Sequence, residues 1–347
     1  PLYRGFESGI APAEEFDAIN LRSGSHDMRR RGAYLSNRFA DDTLLEMGHI
    51  APHGRFMHVY FNGHYWGQFH LRERWNDDMF ASYFGGKEED YDAINGNNTG
   101  SEFLPGDSFD GTDDYWDEAL ALSKGDTPFQ AVQNHIDLKS LFSFQLTWLS
   151  GQCESEFQSA GSRLRGIPFK FYFKDADGYL RPANHSLNNR GPGNMMEAFR
   201  EEDSPEFRLL LADTIHKHYF NGGAFTPERN IARLQARVDE TQKSLVAEAA
   251  RWNGVNTSDY STPAYWQGFQ DNLVEDHFPD LTKDMIRKFT RAGWYPDNII
   301  APSFNQMGGE IESGFRLVLN AGTIFRPQKG DLVYTTDGTD PRLPGGA

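Results

Sequence analysis

The feature that most constrains the fold is a β-hairpin predicted between Phe56 and Leu71. Two aromatic-rich runs, FMHVYF and HYWGQFHL, flank the dipeptide Asn62-Gly63. Asn-Gly is the strongest short-range signal for a tight hairpin, because both central residues of such a turn need positive φ angles. The sequence therefore predicts two antiparallel strands, residues 56–61 and 64–71.

A second predicted strand lies in the segment 169–182, FKFYFKDADGYLRP. Alternation of apolar and polar residues with many aromatic side chains is typical of a half-buried strand. Gly178 follows two aspartates and favours a tight turn, because glycine accepts positive φ without a Cβ clash. We expect Asp175 and Asp177 at the tip of a hairpin, where carboxylates suit a hard divalent cation such as Mg²⁺. The alternative is that Asp-x-Asp-Gly serves only as a turn.

The remaining segments predict an α+β protein with a mainly helical C-terminal part and a small β segment at the end. Asn95 to Gly111 is polar and is predicted to be a long loop. The β-rich composition after Pro296 predicts a domain boundary near residue 299. Helical spacing and capping residues predict helices over 28–47, 75–84, 115–122, 128–149, 204–220 and 226–252, and two shorter ones within 263–294.

Composition narrows the function classes. The net charge of −16 argues against nucleic acid as a partner, although a local cationic cluster can still bind a small anion. Cys153 is the only cysteine, so an intrachain disulfide is impossible. No apolar run reaches the ~20 residues of a membrane span, and no signal peptide is present. The chain starts at Pro1 without a methionine, and we expect it to be a piece of a longer protein.

Four stretches, taken in order, resemble the CotH kinase family. They are LRSGSHD at 21–27, the hairpin with its trailing Arg72-Glu73-Arg74, GQCE at 151–154, and FKFYFKDADG at 169–178. The resemblance covers roughly residues 15–255. The later run YTTDGTDPR at 334–342 looks like the start of a chitobiase/β-hexosaminidase C-terminal-type module. The expected domains are thus an N-terminally truncated CotH kinase-like domain, 1–298, and a partial β-sandwich-like module, 299–347.

The resemblance implies an atypical protein-kinase-like fold that binds Mg-ATP and transfers the γ-phosphoryl group to a protein hydroxyl. Such chemistry needs metal ions on the phosphates, a carboxylate that orients the acceptor, and a cationic group. By the resemblance, Asp175 and Asp177 are the metal ligands, and Glu154 and Asp177 are the catalytic residues. The family also implies a secreted or cell-surface protein whose protein substrate is unknown.

The resemblance further implies a set of cofactor-binding residues: Glu73, Arg72 and Arg22. Glu73 would orient a cation that contacts the phosphates. Two departures from the family pattern stand out, because Glu154 replaces an aspartate and Gln152 replaces an asparagine. An early-strand lysine is also absent from the sequence.

Two other function classes stay open at this stage. One is a hydrolase of polysaccharides or esters, with acids drawn from Glu154, Glu156, Asp175 and Asp177. In that class Trp66, Trp75 and Tyr65 would be exposed and stack on sugars. The other is a non-catalytic surface module that binds Ca²⁺ or carbohydrate, with a polysaccharide or cell surface as its partner. Whether the chain is an enzyme is therefore left open, with a phosphotransferase favoured.

Overall fold

The computed structural model describes residues 10–24, 34–97, 104–151, 156–180, 186–252, 263–297, 301–307, 309–320, 322–323, 326–327 and 332–342. Helices and small antiparallel sheets alternate along these residues. The predicted α+β class is confirmed.

The first sheet contains three antiparallel strands, β1 (Ile19–Arg22), β2 (Gly54–Phe61) and β3 (His64–Glu73), in the order β1-β3-β2. The predicted hairpin is confirmed. Asn62 and Gly63 both have positive φ angles, 49° and 81°, as the turn requires. β3 is central, so the segment His70–Glu73 is buried between its two neighbours.

The second sheet contains four antiparallel strands in the order β5-β4-β6-β7. They are β4 (Asp92–Asn97), β5 (Leu104–Asp110), β6 (Glu156–Ser162) and β7 (Ile167–Phe173). The long loop expected over 95–111 is wrong, since β4 and β5 occupy much of it. Contacts with the Trp116 side chain explain why the polar segment of β5 forms a strand. Its indole covers Gly106, where a Cβ would lie 2.6 Å from Nε1, and it donates to the Pro105 carbonyl at 3.1 Å.

The strand predicted before Asp175 is confirmed, but the hairpin after it is wrong. β7 pairs with the preceding strand β6 and ends at Phe173. The following residues form a turn that is buried from Ala176 to Leu180. The two aspartates therefore lie just beyond the last residue of an edge strand, and not at a hairpin tip.

Helix α1 (Ser36–Glu46) is buried on every side from Ser36 to Leu45. A helix surrounded by other elements is usually apolar, but α1 carries buried Arg38, Asp41 and Asp42. It packs against α5, α8 and β7. The predicted end of this helix is confirmed, while residues 28–33 of the prediction lie outside the described residues.

The other helices follow the predicted pattern with two exceptions: the helix predicted over 128–149 is divided, and the helix Met195–Glu202 lies outside every predicted one. These helices are α2 (Asp77–Phe84), α3 (Asp114–Leu122), α4 (Pro128–Ala131), α5 (Leu138–Gly151), α6 (Met195–Glu202), α7 (Pro205–Tyr219), α8 (Pro227–Trp252), α9 (Pro263–Asn272) and α10 (Phe278–Arg291). The single helix expected over 128–149 is two helices. The chain between them pairs with β7, because Asp137 N donates to the Phe169 carbonyl and Phe169 N donates to that of His135.

The C-terminal part is helical from α6 to α10, as predicted. Short strand pairs follow it: β8 (Ser303–Phe304) with β9 (Leu319–Asn320), and β10 (Gly322–Thr323) with β11 (Arg326–Pro327). Within the described ranges, every helix is too short or too polar to cross a membrane.

Candidate functional site

Asp175 and Asp177 lie in the turn that leaves β7. The Asp177 backbone N donates to Asp175 Oδ1 at 3.0 Å, and Tyr179 N donates to the Ala176 carbonyl at 3.0 Å. These bonds fold the turn onto the protein. The Asp177 side chain is 2% exposed, whereas that of Asp175 is 29% exposed. One carboxylate is thus buried, and the other lies at the surface beside it.

Arg22 at the end of β1 contacts both carboxylates. Its Nη2 lies 2.5 Å from Asp177 Oδ1 and 3.1 Å from Asp175 Oδ1. The guanidinium side chain is 24% exposed. Because β1 belongs to the three-stranded sheet and the aspartates follow the four-stranded sheet, this ion pair joins the two sheets.

The first turn of α1 holds the aspartate turn in position. Asn37 Oδ1 accepts from Ala176 N at 2.9 Å, and Asn37 Nδ2 donates to Asp177 Oδ1. Ser36 Oγ accepts from Leu180 N at 3.1 Å. The start of the helix therefore supplies hydrogen-bond partners for the backbone of the turn and for the buried carboxylate. Without these partners, the buried polar groups would lower the stability of the fold.

Burial raises the pKa of Asp177 above its ordinary value. The Arg22 guanidinium opposes this effect, and the neighbouring Asp175 carboxylate adds to it. A second cation close to the pair would stabilise the ionised form of both aspartates. The site is therefore electrostatically suited to gain positive charge.

Behind the aspartate pair lies a buried network of arginines and aspartates. Asp42 accepts from Arg38 Nε at 2.7 Å and from Arg237 at 2.6 and 2.9 Å. Burial alone would raise the pKa of Asp42, but Arg237 and Arg38 outweigh it and the pKa is lowered. This pair fixes α1 to α8.

Asp41 is held less closely than Asp42. Its Oδ2 lies 3.8 Å from Arg38 Nη1 and 4.0 Å from Arg72 Nη1. Burial raises its pKa to about 6, against the pull of Arg72 and Arg38. Asp41 is thus the carboxyl in this network that changes charge most easily near neutral pH.

The predicted cofactor-binding residues fall in different environments. Arg72 is 4% exposed and its nearest carboxylate is that of Asp41. Glu73 is fully buried, and it accepts from His53 N at 2.7 Å and from Tyr83 Oη at 2.7 Å. In the part of the chain with assigned structure, the contact expected between Glu73 and a phosphate-binding cation is not observed. Arg22 contacts the aspartate pair directly.

Glu154, the predicted catalytic acid, lies outside the described residues together with Gln152, Cys153 and Ser155. Gly151, at the end of α5, contacts the aspartate turn. A Cβ at this glycine would lie 2.2 Å from Tyr179 Cδ2, so no larger residue fits without displacing the ring. The chain thus passes beside the turn three positions before Glu154.

The aromatic residues proposed for sugar stacking differ in exposure. Trp75 is 4% exposed and stacks on Tyr172, with ring centroids 3.4 Å apart. Its assignment as an exposed platform is wrong, because the position just after β3 faces the second sheet. Trp66 is 42% exposed at the hairpin, as expected.

The donor set fits a magnesium ion that keeps most of its ligands from elsewhere. Mg²⁺ in proteins commonly takes one or two carboxylates and completes its octahedron with water and phosphate oxygens. Asp175 and Asp177 supply two carboxylates, one of them open to solvent. Among the described residues, no group of three or more His, Cys, Asp or Glu side chains could enclose a metal. The arrangement therefore suits a metal brought with a phosphate, and not a closed protein site.

The two small sheets, the buried helix and the aspartate pair after an edge strand belong to an α+β protein, and the family comparison supports a kinase-like one. A model of the CotH kinase protein family matches residues 4–142, which confirms the predicted family over that range. The matched range ends before the aspartate pair, and the assignment of the tail to a chitobiase-type module stays a prediction. No curated protein matches the chain.

Sequence reasoning missed Ser36, Asn37 and Asp41 as parts of the site. In the sequence these residues belong to the polar run SNRFADD, which has the composition of a solvent-facing helix surface. Their burial depends on packing between two sheets and α8 that no local pattern encodes. The sequence predicts that the helix exists, but it holds no local signal that places the helix among other elements.

Proposed function

We propose that this kinase-like protein binds Mg-ATP at the Asp175–Asp177 pair and transfers the γ-phosphoryl group to a protein hydroxyl. The observation that carries the proposal is the contact of one cation, the Arg22 guanidinium, with both carboxylates. A partly exposed site that already holds a cation on two carboxylates is suited to exchange that cation for a metal. The freed arginine is then available for a phosphate.

The role that we propose for each aspartate follows from the exposure of its side chain. Asp175, at the surface, is the first ligand for an arriving metal, and Asp177 is the buried second ligand whose position is fixed by Asn37. Asp175 and Asp177 would hold Mg²⁺, which would supply positive charge to stabilise the phosphoryl group during transfer. Arg22 would move from the carboxylates to the phosphates, where a guanidinium binds oxyanions in a bidentate manner.

The buried network supplies fixed positive charge behind this site. Arg38 and Arg72 are buried close to Asp41. The pKa of Asp41 is raised to about 6. As the pH falls toward this value, the carboxyl becomes protonated and its negative charge only partly offsets the positive charge of the arginines. The protein as a whole has a charge of −16, and these buried arginines reduce the negative charge that an anionic ligand would meet at the site.

Glu154 keeps its proposed role as the carboxylate that orients the acceptor hydroxyl. The proposal rests on its position in the sequence, three residues after Gly151, which contacts Tyr179 in the aspartate turn. The family resemblance also supports the proposal that the protein acts outside the cell or at its surface. A Glu154→Gln variant should keep Mg-ATP binding and lose phosphoryl transfer.

The testing experiment is a thermal unfolding scan with EDTA, Ca²⁺, Mg²⁺ and Mg-ATP. We expect a rise in melting temperature with Mg-ATP that exceeds the rise with either cation alone and is lost in Asp177→Asn. The control is Asp284→Asn, an exposed aspartate on α10 that pairs with Arg287 at 2.6 Å. The absence of any Mg-ATP effect would make the Arg22 contact a structural ion pair and the protein a kinase-like scaffold.

A further inference from the structure

The tip of the β2–β3 hairpin carries an exposed cluster of aromatic side chains. We call Tyr60, Phe61, Tyr65 and Trp66 the aromatic tip. Tyr60 is 63% exposed, Phe61 is 64% exposed and Trp66 is 42% exposed. Single exposed apolar residues are ordinary, but a contiguous group of large aromatic side chains marks an interaction surface.

The aromatic tip covers both faces of the hairpin. Phe61 and Trp66 form one pair, with centroids 6.0 Å apart and rings inclined at 47°. Tyr60 and Tyr65 form another, with centroids 5.4 Å apart and rings at 65°. Successive residues of a strand point to opposite faces, so the two pairs lie on opposite sides of the Asn62-Gly63 turn. The tip is a wedge with aromatic groups on both sides, and not a flat platform.

The hairpin is held rigidly by the end of α8. Trp252 Nε1 donates to the Trp66 carbonyl at 2.9 Å, and Arg251 Nε donates to the Tyr65 carbonyl at 3.2 Å. One helical turn earlier, Glu248 Oε2 accepts from Gln68 N at 2.6 Å. Because the backbone of the tip is fixed before any partner arrives, binding loses little conformational entropy.

The hairpin segment lacks the acidic residues that dominate the rest of the chain. Residues 54–72 contain no aspartate or glutamate, although the chain has 50 of them and a net charge of −16. Arg251 lies beside the tip, with its guanidinium 5.5 Å from the centre of the Trp66 ring and 4.3 Å from that of Trp252. Glu248 is used in a hydrogen bond to the hairpin backbone, so an exposed aromatic wedge with Arg251 beside it and no acid of its own suits an anionic surface.

We propose that the aromatic tip docks onto an anionic phospholipid bilayer, with its rings in the headgroup region and Arg251 toward the lipid phosphates. Tyrosine and tryptophan favour the membrane interface, because their rings are amphipathic. A sugar chain would need coplanar rings on one face, whereas these rings are inclined and surround the turn. This inference goes beyond phosphoryl transfer and does not depend on it.

The test is flotation of the intact chain with vesicles of phosphatidylcholine and phosphatidylserine, compared with phosphatidylcholine alone. We expect binding to the anionic vesicles that weakens with added salt. The double variant Tyr60→Ser/Phe61→Ser should bind at least about tenfold more weakly, since it removes two side chains that enter the interface. The control is Leu164→Ser, which removes a 77% exposed leucine from the β6–β7 turn.

A second readout places the tip in the bilayer. Brominated lipids should quench part of the tryptophan fluorescence, and the quenched part should disappear in Trp66→Phe. Absence of wild-type binding to anionic vesicles would overturn the proposal, and so would equal binding by the double variant. Binding to a polysaccharide that requires Tyr60 and Phe61, without vesicle binding, would assign the tip to a glycan instead.

Discussion

Arg22 and Asp177 are 155 positions apart in the sequence, yet Arg22 Nη2 lies 2.5 Å from Asp177 Oδ1. The contact joins the edge strand β1 of one sheet to the turn that follows β7 of the other. Since the same nitrogen also contacts Asp175, one guanidinium is shared between two carboxylates. Removing this cation should therefore change what the carboxylates bind.

The variant Arg22→Gln should affect metal and nucleotide binding in opposite directions. Mg²⁺ alone should bind about tenfold more tightly, because the competing cation is gone. Mg-ATP should bind more weakly, because a phosphate contact worth ~1.5–3 kcal/mol is lost. Titration calorimetry with each ligand measures both effects. Arg287→Gln, which removes the partner of the exposed Asp284, is the control. A parallel loss of both affinities would contradict the exchange of Arg22 between carboxylates and phosphate.

Asn37→Asp should destabilise the fold strongly. The new carboxylate would replace the amide that donates to the buried Asp177, so two carboxylates would meet without a proton between them. An uncompensated buried charge costs about 3–5 kcal/mol in the free energy of unfolding. Urea unfolding measures it.

The matched control for Asn37 is Asn272→Asp. Asn272 also donates to an aspartate, Asp276 at 3.3 Å, but it is exposed on α9. Its replacement should change the free energy of unfolding by only about 0.5 kcal/mol. Equal losses in the two variants would show that Asn37 does not hold the aspartate turn.

Asp41 should make the protein less stable as the pH rises from 4 to 6. Its pKa is raised from 3.8 to about 6 in the folded protein, so the folded state binds the proton more tightly than the unfolded state does. Each pH unit over which only the folded state holds the proton is worth about 1.4 kcal/mol, so the wild type should lose about 2 kcal/mol relative to Asp41→Asn across this range. Urea unfolding of both proteins at several pH values measures the difference. A constant difference, or one that grows in favour of the wild type, would show that Arg38 and Arg72 outweigh burial.

Gly54→Ala should destabilise the junction of β2 with α1. A Cβ at Gly54 would lie 2.5 Å from Arg38 Nη1 and 2.6 Å from His70 Nε2, and both neighbours are buried. Crowding of this kind costs about 1–3 kcal/mol. Gly268→Ala is the control, since no atom lies within 4 Å of its Cβ position on α9, and it should stabilise the helix by about 0.5–1 kcal/mol. Similar melting temperatures for the two variants would exclude the proposed crowding.

Local sequence signals were sufficient where the chemistry of a turn or cap decides the structure. Asn62-Gly63 requires positive φ at two residues, and the hairpin followed. Pro205 and Pro227 begin α7 and α8, where proline lacks only a donor that the helix would not have used.

Local sequence signals failed where contacts with residues far away in the chain decide the local structure. The helix expected over 128–149 is broken because His135 and Asp137 pair with the backbone of Phe169 in β7. The loop expected over 95–111 is a strand pair because Trp116 packs over Gly106. In the site, the sequence identifies Asp175 and Asp177 as candidate metal ligands. Their partners Arg22 and Asn37 lie in elements far away in the chain, so the sequence does not predict these contacts.

The most direct measurement of the central claim is titration calorimetry of the wild-type chain with a non-hydrolysable ATP analogue, with and without Mg²⁺. The account predicts one site per chain that requires Mg²⁺ and is lost in both Asp175→Asn and Asp177→Asn, while Asp284→Asn binds normally. Binding that ignores Mg²⁺, or that survives both aspartate substitutions, would contradict the assignment of the nucleotide site to this pair.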